Sequence, residues 1–118
     1  MYKRQILVPS TASEVSTIIQ TLLTNNESFA VKSGGHNPNQ NFSSSAGGPL
    51  INLKALDEVT YDATSGMARI GPGNRWSAVV KALQPFSVTV VGGRIGHVGV
   101  GGYIVGGLGL DSVLWEYS

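Results

Sequence analysis

Residues 29–39 read Phe-Ala-Val-Lys-Ser-Gly-Gly-His-Asn-Pro-Asn. The apolar run from Phe29 to Val31 predicts a short buried strand. It stops at Ser33-Gly34-Gly35, where residues without a Cβ allow a positive φ and a close approach of the backbone to a ligand. Successive N–H groups in such a turn can converge on an anion. His36 follows directly and places an imidazole at the edge of the turn, where it could act as base, ligand or nucleophile.

The longer stretch from Phe29 to Ser45 narrows these alternatives. By themselves, residues 33–36 also fit an ordinary strand-to-loop turn with an exposed histidine. The whole stretch, however, resembles the flavin-attachment segment of the vanillyl-alcohol oxidase and berberine-bridge-enzyme-like flavoproteins, and especially of their fungal members. In those proteins the histidine carries FAD covalently through the 8α-methyl group, and the preceding Ser-Gly-Gly backbone faces the pyrophosphate. The resemblance therefore implies cofactor contacts at Ser33, Gly34, Gly35, His36 and Asn37, with His36 as the attachment residue.

Composition limits the other function classes. The 118 residues suffice for one domain, and with 13% charged residues and a net charge of +1 there is no basic stripe for nucleic acid. The absence of cysteine excludes disulfides and cysteine-based metal sites, and two histidines cannot form a histidine-rich one. No run has the length of a membrane span and no secretory leader is present. We therefore expect neither nucleic acid nor a membrane as partner, while localisation stays open, although the family is often secreted.

The order of predicted elements indicates an α+β fold built on a β-α-β unit. Ile6 to Val8 predicts a strand, and apolar residues at helical spacing predict a helix from about Ala12 to Leu23 that ends at Asn25-Asn26. The strand at Phe29 then completes a unit with parallel strands and a right-handed connection. The later elements are a strand at Leu50–Leu53, a helical turn at Lys54–Asp57, a hairpin of Val59–Tyr61 with Met67–Gly71, and a core-packing helix at Trp76–Leu83.

A second glycine-rich segment follows residues 87–91, which are rich in residues that favour strands. More than half of the 16 glycines lie between Gly92 and Gly109, which predicts a backbone surface for a ligand or a flexible segment. A Rossmann fingerprint fails because Ile104 stands where the third glycine belongs, and a Walker A loop fails because Val31 replaces its glycine.

Residues 91–102 resemble the second FAD-binding segment of the same flavoproteins. This implies cofactor contacts at Gly92, Gly93, His97, Val98, Gly99, Gly101 and Gly102. His97 either contacts FAD or is a solvent-facing loop histidine. Some relatives attach FAD a second time through a cysteine, but Ile95 stands near that position, so we expect a single covalent bond. Lys32, Arg75 and Arg94 could offset pyrophosphate charge, but we interpret them as solvated cations.

The resemblance covers about Ile6 to Ser118 and implies small mixed sheets flanked by helices, as the N-terminal part of a PCMH-type FAD-binding domain. We assign residues 1–118 to that domain, truncated, and interpret residues 1–5 as non-native. Relatives add a substrate domain and a catalytic base, so no catalytic residue is predicted here, and a small-molecule substrate is expected to bind through the missing domain.

The implied reaction is oxidation of an alcohol, carbohydrate or alkaloid-like carbon by hydride transfer to flavin, with O2 as acceptor. In such an enzyme the cofactor supplies the chemistry and the protein supplies orientation and electrostatics. The alternatives are a non-catalytic nucleotide- or phosphate-binding module and an inactive truncated product.

Overall fold

A computed structural model of the chain describes residues 5–35, 48–93 and 95–106. Its first sheet contains three parallel strands, β1 (Ile6–Leu7), β2 (Ala30–Lys32) and β3 (Leu50–Asn52), in the order β1-β3-β2. The predicted parallel orientation of β1 and β2 is confirmed, but β3 lies between them. It takes the centre because Leu50 and Ile51, which point to opposite faces, are both buried. The carbonyl of Gln5, directly before β1, accepts a hydrogen bond from Leu50 N at 2.9 Å.

Helix α1 (Ala12–Thr24) has well-defined caps at both ends. The hydroxyl of Thr11 accepts from Glu14 N at 3.1 Å, while the Glu14 carboxylate accepts from Ser10 N at 3.0 Å, an arrangement close to a capping box. At the other end Asn26 adopts φ +54°, and the N–H of Glu27 reaches back to Leu22 O at 2.9 Å, which is the Schellman pattern. The predicted helix and its end at Asn25-Asn26 are therefore confirmed.

An antiparallel hairpin follows a short 3-10 turn at Leu53–Ala55. Strands β4 (Val59–Asp62) and β5 (Met67–Ile70) pair as predicted. Asp62 organises the connecting turn, since its carboxylate accepts hydrogen bonds from Thr64 N at 2.9 Å and Ser65 Oγ at 3.0 Å. These bonds, led by the one from the Thr64 backbone, hold the pKa of Asp62 below its ordinary value of 3.8.

A hydrophobic core lies between the hairpin and helix α2 (Trp76–Leu83). Trp76, Val79 and Leu83 form one buried stripe at helical spacing, joined by Val100, whereas Val80 at the edge of this stripe is 51% exposed. Alternate hairpin residues pack against this stripe, as expected for one face of a two-stranded ribbon: Val59, Tyr61, Ala68 and Ile70. The predicted core-packing helix is confirmed with its predicted bounds.

The segment after α2 differs from the sequence-based expectation in two ways. Residues 87–91 form no strand, because no described segment pairs with them, although Val88 and Val90 pack on the core. Residues Val100–Gly106 form a helix, α3, within the glycine-rich stretch for which the sequence predicted a backbone surface for a ligand or a flexible segment, and no helix. Within the described ranges, no helix is long and apolar enough to cross a membrane.

Candidate functional site

The two glycine segments meet backbone to backbone. A Cβ built on Gly34 would lie 2.6 Å from Gly99 N and 2.7 Å from Gly99 Cα, closer than side chains pack against a backbone. The relation is mutual, because a Cβ on Gly99 would collide with Gly34 N and Cα. Segments 65 residues apart in sequence therefore form one continuous surface, and neither glycine can be replaced without separating them.

The hydroxyl of Ser33 links three parts of the chain beside this contact. It donates to Pro72 O at 2.6 Å and accepts from Gly101 N at 3.1 Å. The first glycine turn is thereby joined to the loop before α2 and to the first turn of α3. A serine here satisfies one donor and one acceptor of the main chain with a single side-chain atom.

The turn at Gly34–Gly35 presents backbone donors that the described residues do not use. Gly35 has φ +71°, the left-handed region that glycine adopts without strain, as the sequence predicts for this turn. No described residue accepts a hydrogen bond from the N–H of Gly34 or Gly35. These donors thus suit an anionic ligand such as a diphosphate.

The start of α2 is capped by the second glycine segment. Trp76 N donates to Val98 O at 3.0 Å and Ser77 N donates to Gly96 O at 2.8 Å, so these carbonyls satisfy N–H groups that have no partner within the helix. An isolated antiparallel bridge pairs Arg75 with Gly99. Because of these bonds, the position of the second segment depends on α2.

Trp76 supports the beginning of that segment. A Cβ on Gly92 would lie 2.5 Å from Trp76 Cε3, and one on Gly93 would lie 2.5 Å from Cδ1, so both glycines lie directly on the indole ring. Tyr103 of α3 contacts the same ring edge-on, with 5.2 Å between centroids. Gly102, by contrast, has open space around it, since a Cβ added there would meet no described atom within 4 Å.

Most of the predicted site residues are brought together, although their contacts with a cofactor stay a prediction. Ser33, Gly34, Gly99 and Gly101 form the contact between segments, and Gly35 continues from it. Gly92, Gly93 and Val98 all contact Trp76 at the start of α2. Gly102 follows Gly101 on α3. The backbone carbonyl of His97 lies 3.5 Å from the Cβ position of Gly34, while the His97 residue as a whole is exposed. His36, Asn37 and Arg94 lie outside the described residues.

One side chain interpreted as a solvated cation contacts the site. Arg75 Nη2 donates to Gly34 O at 3.3 Å. The sequence signal for it is the third glycine-containing stretch, Gly71-Pro72-Gly73-Asn74-Arg75, which also supplies the carbonyl bound by Ser33. In the part of the chain that the structure describes, no group of three or more histidine or carboxylate side chains could hold a metal ion.

Residues 4–115 match the model of a family described as FAD binding domain. The chain belongs to this family. The FAD-binding domain is 48% identical to the FAD-dependent monooxygenase macF of Penicillium terrestre over 121 aligned positions, covering 92% of this chain and 23% of the relative. It is 46% identical to the FAD-dependent monooxygenase FUP4 of Fusarium proliferatum, covering 81% and 19%.

Solved structures share the fold of this FAD-binding domain. Aclacinomycin oxidoreductase superposes with a TM-score of 0.77 at 27% identity, covering 88% of this chain and 21% of the other. The 6-hydroxy-D-nicotine oxidase of Arthrobacter nicotinovorans gives 0.75 at 27% identity, covering 84% and 22%. A berberine-bridge-enzyme-like protein of Physcomitrella patens gives 0.72 at 21% identity, covering 82% and 21%, which shows the fold alone.

These comparisons confirm the resemblance to PCMH-type, berberine-bridge-enzyme-like flavoproteins and the α+β fold. The chain is the FAD-binding domain of a flavoprotein oxidoreductase family. It spans only 18% to 23% of the length of the curated relatives it matches.

Proposed function

We propose that this domain binds FAD, covalently through His36, for an oxidoreductase that takes a hydride from an alcohol, carbohydrate or alkaloid-like carbon and passes electrons to O2. The proposal rests chiefly on the packing of Gly34 against Gly99, which unites both predicted FAD segments in one surface. The sequence Ser33-Gly34-Gly35-His36 supports the attachment site, since it matches the segment that carries the flavin in the proteins it resembles.

The described residues fit the diphosphate of FAD by the chemistry of their donors. Gly34 and Gly35 offer N–H groups without an acceptor in the described ranges, at a turn where a side chain on Gly34 would collide with Gly99. Backbone amides of this kind bind phosphate without needing a cationic side chain. We assign Ser33 the role of joining the segments rather than binding the ligand, because both functions of its hydroxyl are already used.

When bound, FAD supplies hydride acceptance and subsequent reaction with O2. The role of His36 in this proposal is to tether the cofactor. A covalent tether would limit the movement of the flavin ring relative to the backbone donors of Gly34 and Gly35. No described residue is assigned as the acid or base. We place the base and the substrate pocket in parts of the full-length protein beyond this domain, as the resemblance to the flavoprotein family implies.

The names of the relatives bear on the choice of reaction. Two curated fungal relatives, macF and FUP4, are called FAD-dependent monooxygenases, whereas solved relatives include 6-hydroxy-D-nicotine oxidase and chitooligosaccharide oxidase. We favour the oxidase reaction for the full-length protein because the substrate itself then supplies the hydride, and no separate reductant is needed besides O2 as acceptor. Hydrogen peroxide equal to the product formed, with no oxygen atom from O2 in that product, would support it.

The cofactor proposal is tested by precipitating the full-length protein in acid and measuring flavin absorbance in pellet and supernatant. We expect the flavin to stay in the pellet of the wild type and to leave with the supernatant in His36→Ala. Flavin in the supernatant of both would refute covalent attachment. Failure of the wild type to bind any flavin would instead favour the non-catalytic nucleotide- or phosphate-binding module.

A further inference from the structure

Arg75 occupies a helix position for which arginine is poorly suited. It is the N-cap of α2 and makes no side-chain capping bond. Serine, threonine, aspartate and asparagine are preferred there, because their side chains accept from the first free N–H groups of the helix. In this chain the carbonyls of Gly96 and Val98 perform that task. The Arg75 side chain is therefore not needed for capping and can contact another part of the chain.

The Arg75 side chain reaches the first glycine turn instead. Its Nη2 donates to Gly34 O at 3.3 Å, and its main chain is paired with Gly99, the residue on which Gly34 packs. Two separate parts of Arg75 thus contact the two glycines that pack on each other, one from each glycine segment. Lys32, a second cation beside this turn, lies with its Cε 2.7 Å from the Cβ position of Gly35.

A peptide flanked by two glycines needs such a restraint. The peptide between Gly34 and Gly35 is trans, so its carbonyl and its N–H point in opposite directions. Glycine on both sides removes the Cβ clashes that usually prevent a peptide from turning over. A donor held at Gly34 O therefore also decides where the N–H of Gly35 points, which is away from the guanidinium.

We propose that Arg75 is a positioning residue of the diphosphate site, which orients the Gly35 N–H toward the ligand by holding Gly34 O on the opposite side. This inference rests on the proposed FAD-binding function. It differs from a direct charge interaction, because the guanidinium lies on the carbonyl side of the peptide and acts through the backbone.

The test measures reversible FAD and ADP affinity in the full-length protein carrying His36→Ala, which prevents covalent capture. Arg75→Met should weaken both ligands by the same factor, roughly 3- to 10-fold, the range for one lost hydrogen bond of ordinary strength, since this bond is long and exposed. Arg75→Lys, which retains a donor, should recover part of the loss. Lys32→Met removes the same charge from the same turn without touching Gly34 O and should change affinity by less than about 2-fold.

Salt dependence and stability distinguish positioning from direct charge attraction and from a general weakening of the fold. The loss in Arg75→Met should persist at about 0.5 M salt, where direct attraction to a phosphate is largely screened. The cofactor-free unfolding midpoint should match that of Lys32→Met. Equal FAD affinity in Arg75→Met and its parent would overturn the inference and leave FAD binding intact. A loss that disappears with salt, or that Lys32→Met reproduces, would also overturn it. A parent without FAD affinity would refute the proposed function itself.

Discussion

Replacing Gly99 with alanine tests whether the two glycine segments are held together as the structure shows. The added Cβ would lie 2.7 Å from Gly34 Cα and 2.7 Å from Ser33 Oγ, and the first of these neighbours is main chain that cannot rotate away. Overpacking of this kind costs about 1–3 kcal/mol. Gly102→Ala is the matched control, because it adds the same methyl group where no described atom lies within 4 Å. Since Gly102 lies within α3, alanine there should stabilise the helix by about 0.5–1 kcal/mol.

The two alanine variants should therefore differ by roughly 1.5–4 kcal/mol in the free energy of unfolding. Urea unfolding of the cofactor-free protein, followed by tryptophan fluorescence, measures this difference without any contribution from the ligand. A difference below about 0.5 kcal/mol, the usual size of an effect at an unconstrained surface position, would refute the close packing of the segments.

Three further results are expected. Ser33→Ala should destabilise the cofactor-free protein by about 1–3 kcal/mol, because Gly101 N and Pro72 O lose their shared partner, and an unchanged urea midpoint would contradict this. Asp62→Ala should lower the melting temperature at neutral pH, and its difference from wild type should shrink as the pH falls below 3.8, because a lowered folded-state pKa contributes stability above that value and loses it on protonation. A pH-independent difference would count against that role of Asp62. The 118-residue chain supplied with FAD should release no hydrogen peroxide from sugars or alcohols, since it lacks an assigned base, and turnover surviving removal of contaminants would contradict this.

The helices and hairpin could be predicted because their signals are local. Periodic apolar residues and hydroxyl caps define α1, and Asp62 to Gly66 supplies the turn chemistry of the hairpin. The order of the first sheet is not a local property. It depends on β3 being apolar toward both faces, which places it between the two strands that precede it in sequence.

Helix α3 illustrates what periodicity cannot reveal. Gly101 and Gly102 each disfavour a helix by about 1 kcal/mol relative to alanine, so propensity argues against it. Its formation depends on packing, since Val100 is buried in the core and Tyr103 meets the ring of Trp76. Tertiary contacts of this kind override intrinsic propensity.

The candidate site was predictable as two glycine segments, but not in how they are joined. Ser33 was identified by its place in the motif, whereas its bonds to Pro72 and Gly101 depend on three-dimensional proximity. Arg75 was interpreted as a solvated cation because single exposed cations usually contact only solvent, although it ends the glycine-containing stretch Gly71–Arg75. Its contact with Gly34 depends on capping by carbonyls more than 20 positions further along the chain.

A crystal structure of the full-length protein with FAD tests the central claim most directly. The account predicts diphosphate oxygens within about 3 Å of the backbone N–H groups of Gly34 and Gly35, with the second glycine segment beside the same ligand and continuous density from His36 to the flavin. FAD bound on another face of the domain, with the N–H groups of Gly34 and Gly35 facing solvent, would contradict it.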